Sequence, residues 1–215
     1  MDGFDSSLDH PIFRESVGRI RGWLGPTGLV GVEQELLERL VHSSGDLAIA
    51  ADLRLGPGAC AAGMAALAAG APILTDTAMA AAAVAPMAGR TFANPVHSVL
   101  SLAPSVAPPG GTRAAAGMAR ALAEHPGAVV LVGSAPTALE RLLQLSAAGA
   151  ITPPALVIGM PVGFVGVAES KRHLAASPLM QIRLEGSKGG AGLVAAAANA
   201  LLRRAWLDQA ALAPP

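Results

Sequence analysis

Histidine is the side chain best suited to move a proton near neutral pH. One of the five in this chain, His42, stands in the run VHSSGD at 41–46, where a helical pattern ends and two hydroxyls, Ser43 and Ser44, follow. By type alone it is a candidate proton donor or an ordinary surface group. The adjoining serines do not make a hydrolase, because no GxSxG elbow is present. His10, His97, His125 and His173 have no mutual metal-ligand spacing and HExxH is absent, so no metal site is expected. Asp76 and Asn94 end short apolar runs, where each binds a ligand or caps the next helix. Arg113, after Thr112 near a helix start, could pair bidentately with a ligand carboxylate or with a surface acid. Cys60, the single cysteine, reads as a small core residue.

Three glycine-rich segments add binding chemistry. In GSAPT, 133–137, glycine permits close backbone approach, Pro136 suits a first helical turn, and Ser134 or Thr137 could cap it. Its amides either face a ligand or form a plain tight turn. GMPVGFVG, 159–166, holds three glycines and a proline in eight residues, which suits a loop following a ligand surface with Phe164 available for contact. EGSKGG, 185–190, precedes a long helical pattern. Free amides at a helix start attract carboxylate or phosphate, and Lys188 adds charge. None of the three is GxxxxGK[ST] or GxGxxG, so a nucleotide site is unsupported.

Loops of this kind need strands that end where they begin. Helices are expected at 11–24 and about 32–41, the latter stopping near 42–45, and the short region from there to Leu55 is ambiguous between helix and strand. From there the pattern alternates: helix 59–69, strand 72–75, helix 77–84, a weak strand around Thr91 ending in Asn94, and a proline-rich loop 104–111. Helix 112–122, strand 128–132, a helix to 147, strand 155–158, helix 169–176, strand 180–184 and helix 191–206 complete it. Alternation of this sort implies a mainly parallel sheet covered on both faces, in a single domain over 1–215. The continuous apolar runs AVVLV and ALVI fit strands buried on both sides. Right-handed crossovers place the strand-end loops on one edge, where open α/β sheets bind ligands.

Composition narrows the class. With 52% apolar and 14% charged residues the chain is not disordered. With no Tyr, four Phe and two Trp, its core must rest on Ala, Leu and Val. So few charges on so apolar a chain suggest that a partner subunit covers part of the surface. Zero net charge and no Lys/Arg run argue against nucleic acid. The start, MDGFDSSLDH, is acidic and polar, unlike a signal peptide. The most apolar stretch, 59–87, is broken by Gly70, Pro72, Asp76 and Pro86, unlike a membrane span. A cytoplasmic protein is expected.

Taken together, VHSSGD at 41–46, AGAPILTD at 69–76, TR at 112–113, VGSAPTAL at 132–139 and IGMPVGFVGVAESK at 158–171 resemble the precorrin-8X (or cobalt-precorrin-8) methylmutase family of corrin biosynthesis. The resemblance implies a flavodoxin-like, three-layer α/β/α sandwich and a homodimer whose corrinoid sites lie near the subunit interface. It implies migration of a methyl group from C11 to C12 of the ring, with no separate cofactor. It gives His42 the role of supplying or holding the proton that readies the ring. Ser43, Asp76, Asn94, Thr112, Arg113, Ser134, Thr137, Lys171, Lys188, Gly189 and Gly190 become candidates for the ring's many carboxylates, and Met160, Val162 and Phe164 for its flat face. The last loop departs from the family pattern: Ser187 stands for the usual arginine and Ala191 for a serine, with Lys188 one position on. Ser98 stands where cysteine is common, and TAMAAAAV lacks the histidine often found after ILTD. A non-catalytic corrinoid carrier and another α/β enzyme of small carboxylates are the alternatives.

Overall fold

The computed structural model describes residues 9–212. The acidic opening segment 1–8 lies outside them. Two helices come first, α1 (Pro11–Leu24) and α2 (Val32–Ser44). His10 caps α1 through its Nδ1, and Pro11 takes the first helical position, where its missing N–H costs nothing. α2 runs three residues beyond the expected end and stops at Gly45, which adopts the left-handed conformation. His42 therefore sits on the last turn of a helix, not in the loop after it.

The ambiguous stretch resolves into both alternatives, a short helix α3 (Ile49–Asp52) and a strand β1 (Leu53–Leu55). The alternating part comprises α4 (Ala59–Ala68), β2 (Ile73–Thr75), α5 (Ala78–Arg90), β3 (Val96–Ser98), α6 (Arg113–Glu124), β4 (Val129–Val132), α7 (Pro136–Ala147), β5 (Leu156–Gly159), α8 (Val167–Ala176), β6 (Gln181–Leu184) and α9 (Ala191–Leu212). One expectation is corrected here. Thr91 ends a helix, and the strand placed around it lies beyond Asn94, at β3. Pro86 does not stop α5: it falls inside the helix on an exposed face, where water can take the carbonyl it leaves unbonded.

Among the described residues six strands form one sheet in the order β1-β6-β5-β4-β2-β3. All neighbours are parallel except β1, which pairs antiparallel with β6. Successive strand residues point to opposite faces. Ile73, Val129, Leu131, Leu156 and Ile158 join a core beneath α2, α4, α5 and α9. Leu74, Val130, Val132 and Val157 join a second core beneath α6, α7 and α8. The sheet is thus the middle of three layers, as the doubly buried strand patterns predict. Cys60 is buried, and burial pushes its thiol up to about 11, in keeping with a core role. No helix among the described residues is long and apolar enough to cross a membrane.

Candidate active site

The strand order reverses between β2 and β4, since the chain leaves β2 toward β3 on one side and returns to β4 on the other. A crevice at such a switch point is the usual ligand site of an open α/β sheet. Here the chain fills it. Asp76, at the end of β2, is fully buried, and its Oδ2 accepts from the amides of Gly133 (3.1 Å), Ser134 (2.6 Å) and Ala135 (2.7 Å) after β4. Burial raises its pKa, against the three amide bonds, which favour the charged form. The first three amides of GSAPT are therefore engaged by the protein itself, and Asp76 is an anchor with no exposed surface.

The other two glycine loops are joined to this one. Val162 donates its amide to Gly133 O (3.1 Å), Gly163 to Ser187 O (3.1 Å) and Gly190 to Met160 O (2.9 Å). A Cβ on Gly189 would collide with the Met160 carbonyl, and one on Gly133 would lie 2.7 Å from the Gly190 backbone. Gly189 and Gly133 thus permit close packing between loops, and Gly190 joins them through its amide bond to Met160 O. Lys171 is also structural. It is 2% exposed, its Nζ donates to Gly186 O (2.9 Å) and Lys188 O (2.6 Å), and burial pushes its pKa down to about 8. The Lys188 ammonium lies 2.8 Å from Asp46 and 3.6 Å from Asp52, and the Asp46 bond raises its pKa. Met160 is fully buried and shows no face to a ring, whereas Val162, Phe164 and Val165 stand exposed.

Asn94 lies at the start of β3, away from the edge formed by strand ends, because the strand follows it. Its Nδ2 donates to Leu67 O (2.8 Å) and Ala71 O (2.9 Å), closing the end of α4. Thr112 caps α6 and shares a 2.8 Å hydroxyl contact with Thr137 at the groove between α6 and α7. Arg113 is exposed and donates through Nε to Pro104 O (2.8 Å). Ser43 is exposed beside His42.

His42 opens onto a cavity of about 300 Å³ whose walls come from α1, α2, α5 and α9. None of the other candidates named from sequence lines it. The amphipathic α2 buries Leu36, Leu37, Leu40 and Val41 and leaves the imidazole outside. Ser16 Oγ on α1 is 2.9 Å from His42 Nδ1, which leaves Nε2 for the cavity. Phe13 meets the imidazole edge-on, with centroids 5.0 Å apart, and Arg39 lies over the same phenyl ring at 4.5 Å. Partial burial, and then the Arg39 charge, lower the His42 pKa. The group yields a proton more readily than an ordinary imidazole and stays neutral to lower pH.

Sequence reasoning missed Phe13, Ser16 and Arg39. Arg39 had a signal, since it stands three residues before His42 on one helix face. Phe13 and Ser16 had none, because only the packing of α1 on α2 brings them to His42.

The model of the family described as precorrin-8X methylmutase matches residues 11–204. The cobalt-precorrin-8 methylmutase of Synechocystis sp. is 40% identical over 215 residues, covering 94% of this chain and 98% of that protein. The precorrin-8X methylmutase of Pseudomonas aeruginosa is 43% identical over 197 residues, covering 88% and 93%. A solved precorrin-8x methyl mutase from Thermus thermophilus superposes with a TM-score of 0.82 at 41% identity, covering 91% of this chain and 98% of that one. Agreement over this length, with a TM-score of 0.82, is agreement of the whole fold and not of a shared motif. This chain belongs to the precorrin-8X methylmutase family.

Proposed function

We propose that this protein is an isomerase that moves a methyl group from C11 to C12 of precorrin-8X or its cobalt form, giving hydrogenobyrinic acid or cobyrinic acid. The carrying observation is a family match over 11–204 joined to a histidine that opens onto a cavity with its second nitrogen held by Ser16. Relatives named for both substrates support either form.

The bond from C11 to the methyl breaks and the bond to C12 forms within one molecule. What the shift needs is a changed electron distribution in the ring, which one proton supplies. His42 lends that proton through Nε2. An isomerisation has no net proton, so the same imidazole takes one back when the product forms. A lowered pKa suits the lending step, because the imidazolium holds its proton less tightly. The site gains rate only by favouring the rearranging state over the substrate.

A cavity of about 300 Å³ lies at the lower bound of ligand pockets and takes one edge of a macrocycle, not the whole. The rest of the ring lies outside it. Exposed Val162 and Phe164 are suited to its flat face, and Ser43, Thr112, Arg113 and Thr137 to its carboxylates. Apart from Ser43, which adjoins His42, these residues do not line the His42 cavity of the same chain, which supports a homodimer in which two subunits complete each site. The parallel strands β3-β2-β4-β5-β6 follow the 2-1-3-4-5 order of flavodoxin-like folds, which supports that frame for the chain.

The test mixes purified protein with precorrin-8X and follows the visible spectrum, for wild type and for His42→Ala. Conversion by wild type alone is expected. Equal conversion by H42A removes the histidine from the mechanism, and tight binding without conversion by wild type indicates a carrier.

A further inference from the structure

The charged groups around the His42 cavity are unevenly matched. Its three acids are all engaged: Asp9 and Glu35 hold Arg203, and Glu38 takes Arg21 (2.7 and 3.0 Å) together with Gln34 (2.8 Å). His10 caps α1. Two cations remain, Arg39 on α2 and Arg90 at the end of α5, and among the described residues neither is in an ion pair. Arg39 lies on the Phe13 face, and Arg90 Nε reaches only the Pro86 carbonyl (3.3 Å). Burial lowers the Arg39 pKa; the Asp9 charge opposes this, and the smaller effects of Arg203 and Arg90 add to the lowering. Two guanidiniums that face one open cavity outside any ion pair present N–H donors to an anion. The planar guanidinium fork matches a carboxylate in two places.

We propose that Arg39 and Arg90 form a subsite for one peripheral carboxylate of the corrinoid, which sets the edge of the ring against His42. The inference rests on the reading given under Proposed function. Its geometry is that of Phe13, which holds the guanidinium on its face and the imidazole at 5.0 Å, so both groups are fixed to one ring. Arg203, the third arginine of the lining, is held by Asp9 and Glu35, which leaves this pair as the arginines of the cavity outside ion pairs. The subsite also couples binding to acidity. The Arg39 charge disfavours the imidazolium, after burial. A carboxylate seated on Arg39 offsets that charge, so the substrate itself promotes protonation of His42 once it is in place.

Hydrogenobyrinic acid is titrated into wild type, Arg39→Met, Arg39→Lys and Arg90→Met, with thermal melting and sedimentation run on each. R39M and R90M are each expected to bind about tenfold more weakly or worse, with R39K between them and wild type. Arg90 is exposed, so R90M carries the test if R39M melts early. In wild type the pKa read from kcat is expected to lie above that read from kcat/KM, and R39M is expected to close this gap by raising the kcat/KM value. Binding by R39M and R90M within twofold of wild type overturns the subsite, as does an unchanged gap. Loss of the oligomer in both variants also overturns it, since the pair then belongs to a subunit contact. Wild type that neither binds nor converts a corrinoid instead sinks the underlying reading, and the subsite with it.

Discussion

At the scale of single residues, the candidate chemistry rests on a histidine whose environment works against its charged form. The donor is the imidazolium. With a folded-state pKa below the ordinary histidine value, the donor fraction of the free protein falls as pH rises through a point under 6.5. We therefore expect kcat/KM to decline with rising pH through that range, as a pH–rate profile will show. A profile flat from pH 5 to 7 would remove His42 as the donor. Ser16 fixes the ring through Nδ1 at 2.9 Å. A hydrogen bond of this kind is worth about 1 kcal/mol, so Ser16→Ala is expected to lower kcat about fivefold with little change in product binding. An S16A variant with unaltered kcat would show that Phe13 alone orients the imidazole.

At the scale of elements, the rim of the sheet is held by two buried ionisable groups that bond to backbone. Asp76 ties β2 to the start of α7 through three amides. Asp76→Ala strands those donors, and we expect a loss of about 3 kcal/mol in urea unfolding. A loss under about 0.5 kcal/mol would mean that water enters and replaces the carboxylate. Lys171 holds the last loop by two carbonyls, and Lys171→Met is expected to cost about 1–2 kcal/mol. Its folded pKa of about 8 lies below the ordinary 10.5. Across that window the unfolded chain keeps a proton that the folded chain has released. Stability of the wild type relative to K171M should therefore rise with pH between those values. A pH-independent difference would show that the ammonium stays charged in the fold.

At the scale of the whole molecule, the surface is the unfinished part. Ile12, Trp23, Met79, Phe164 and Val165 are each at least 65% exposed, and the chain carries few charges to offset them. A second subunit over part of this surface would account for the composition and would complete the small His42 cavity. Sedimentation equilibrium at micromolar concentration is expected to give twice the chain mass. A monomer that still converts precorrin-8X would show that one chain holds the complete site.

The sequence by itself determined the layers. AVVLV and ALVI are short and apolar at every position, as strands covered on both faces are, so β4 and β5 were legible along with the helix between them. Short strands were less so. β1 has three residues and antiparallel pairing supplied by β6, and β3 hides behind a proline-bearing helix that runs longer than its local pattern suggests. The glycine loops were legible as places of close backbone approach suited to facing a ligand, whereas in the fold they bond to one another. Asp76 meets amides 57 to 59 residues away and Ser16 meets His42 across 26, and contacts at such separations leave no local pattern. The tertiary structure alone decided that the switch-point crevice is filled by a carboxylate, that Lys171 and Lys188 hold the last loop, and that two arginines without ion pairs share the histidine's cavity. Periodicity reports which face of an element is buried, whereas a site is made where faces of distant elements meet.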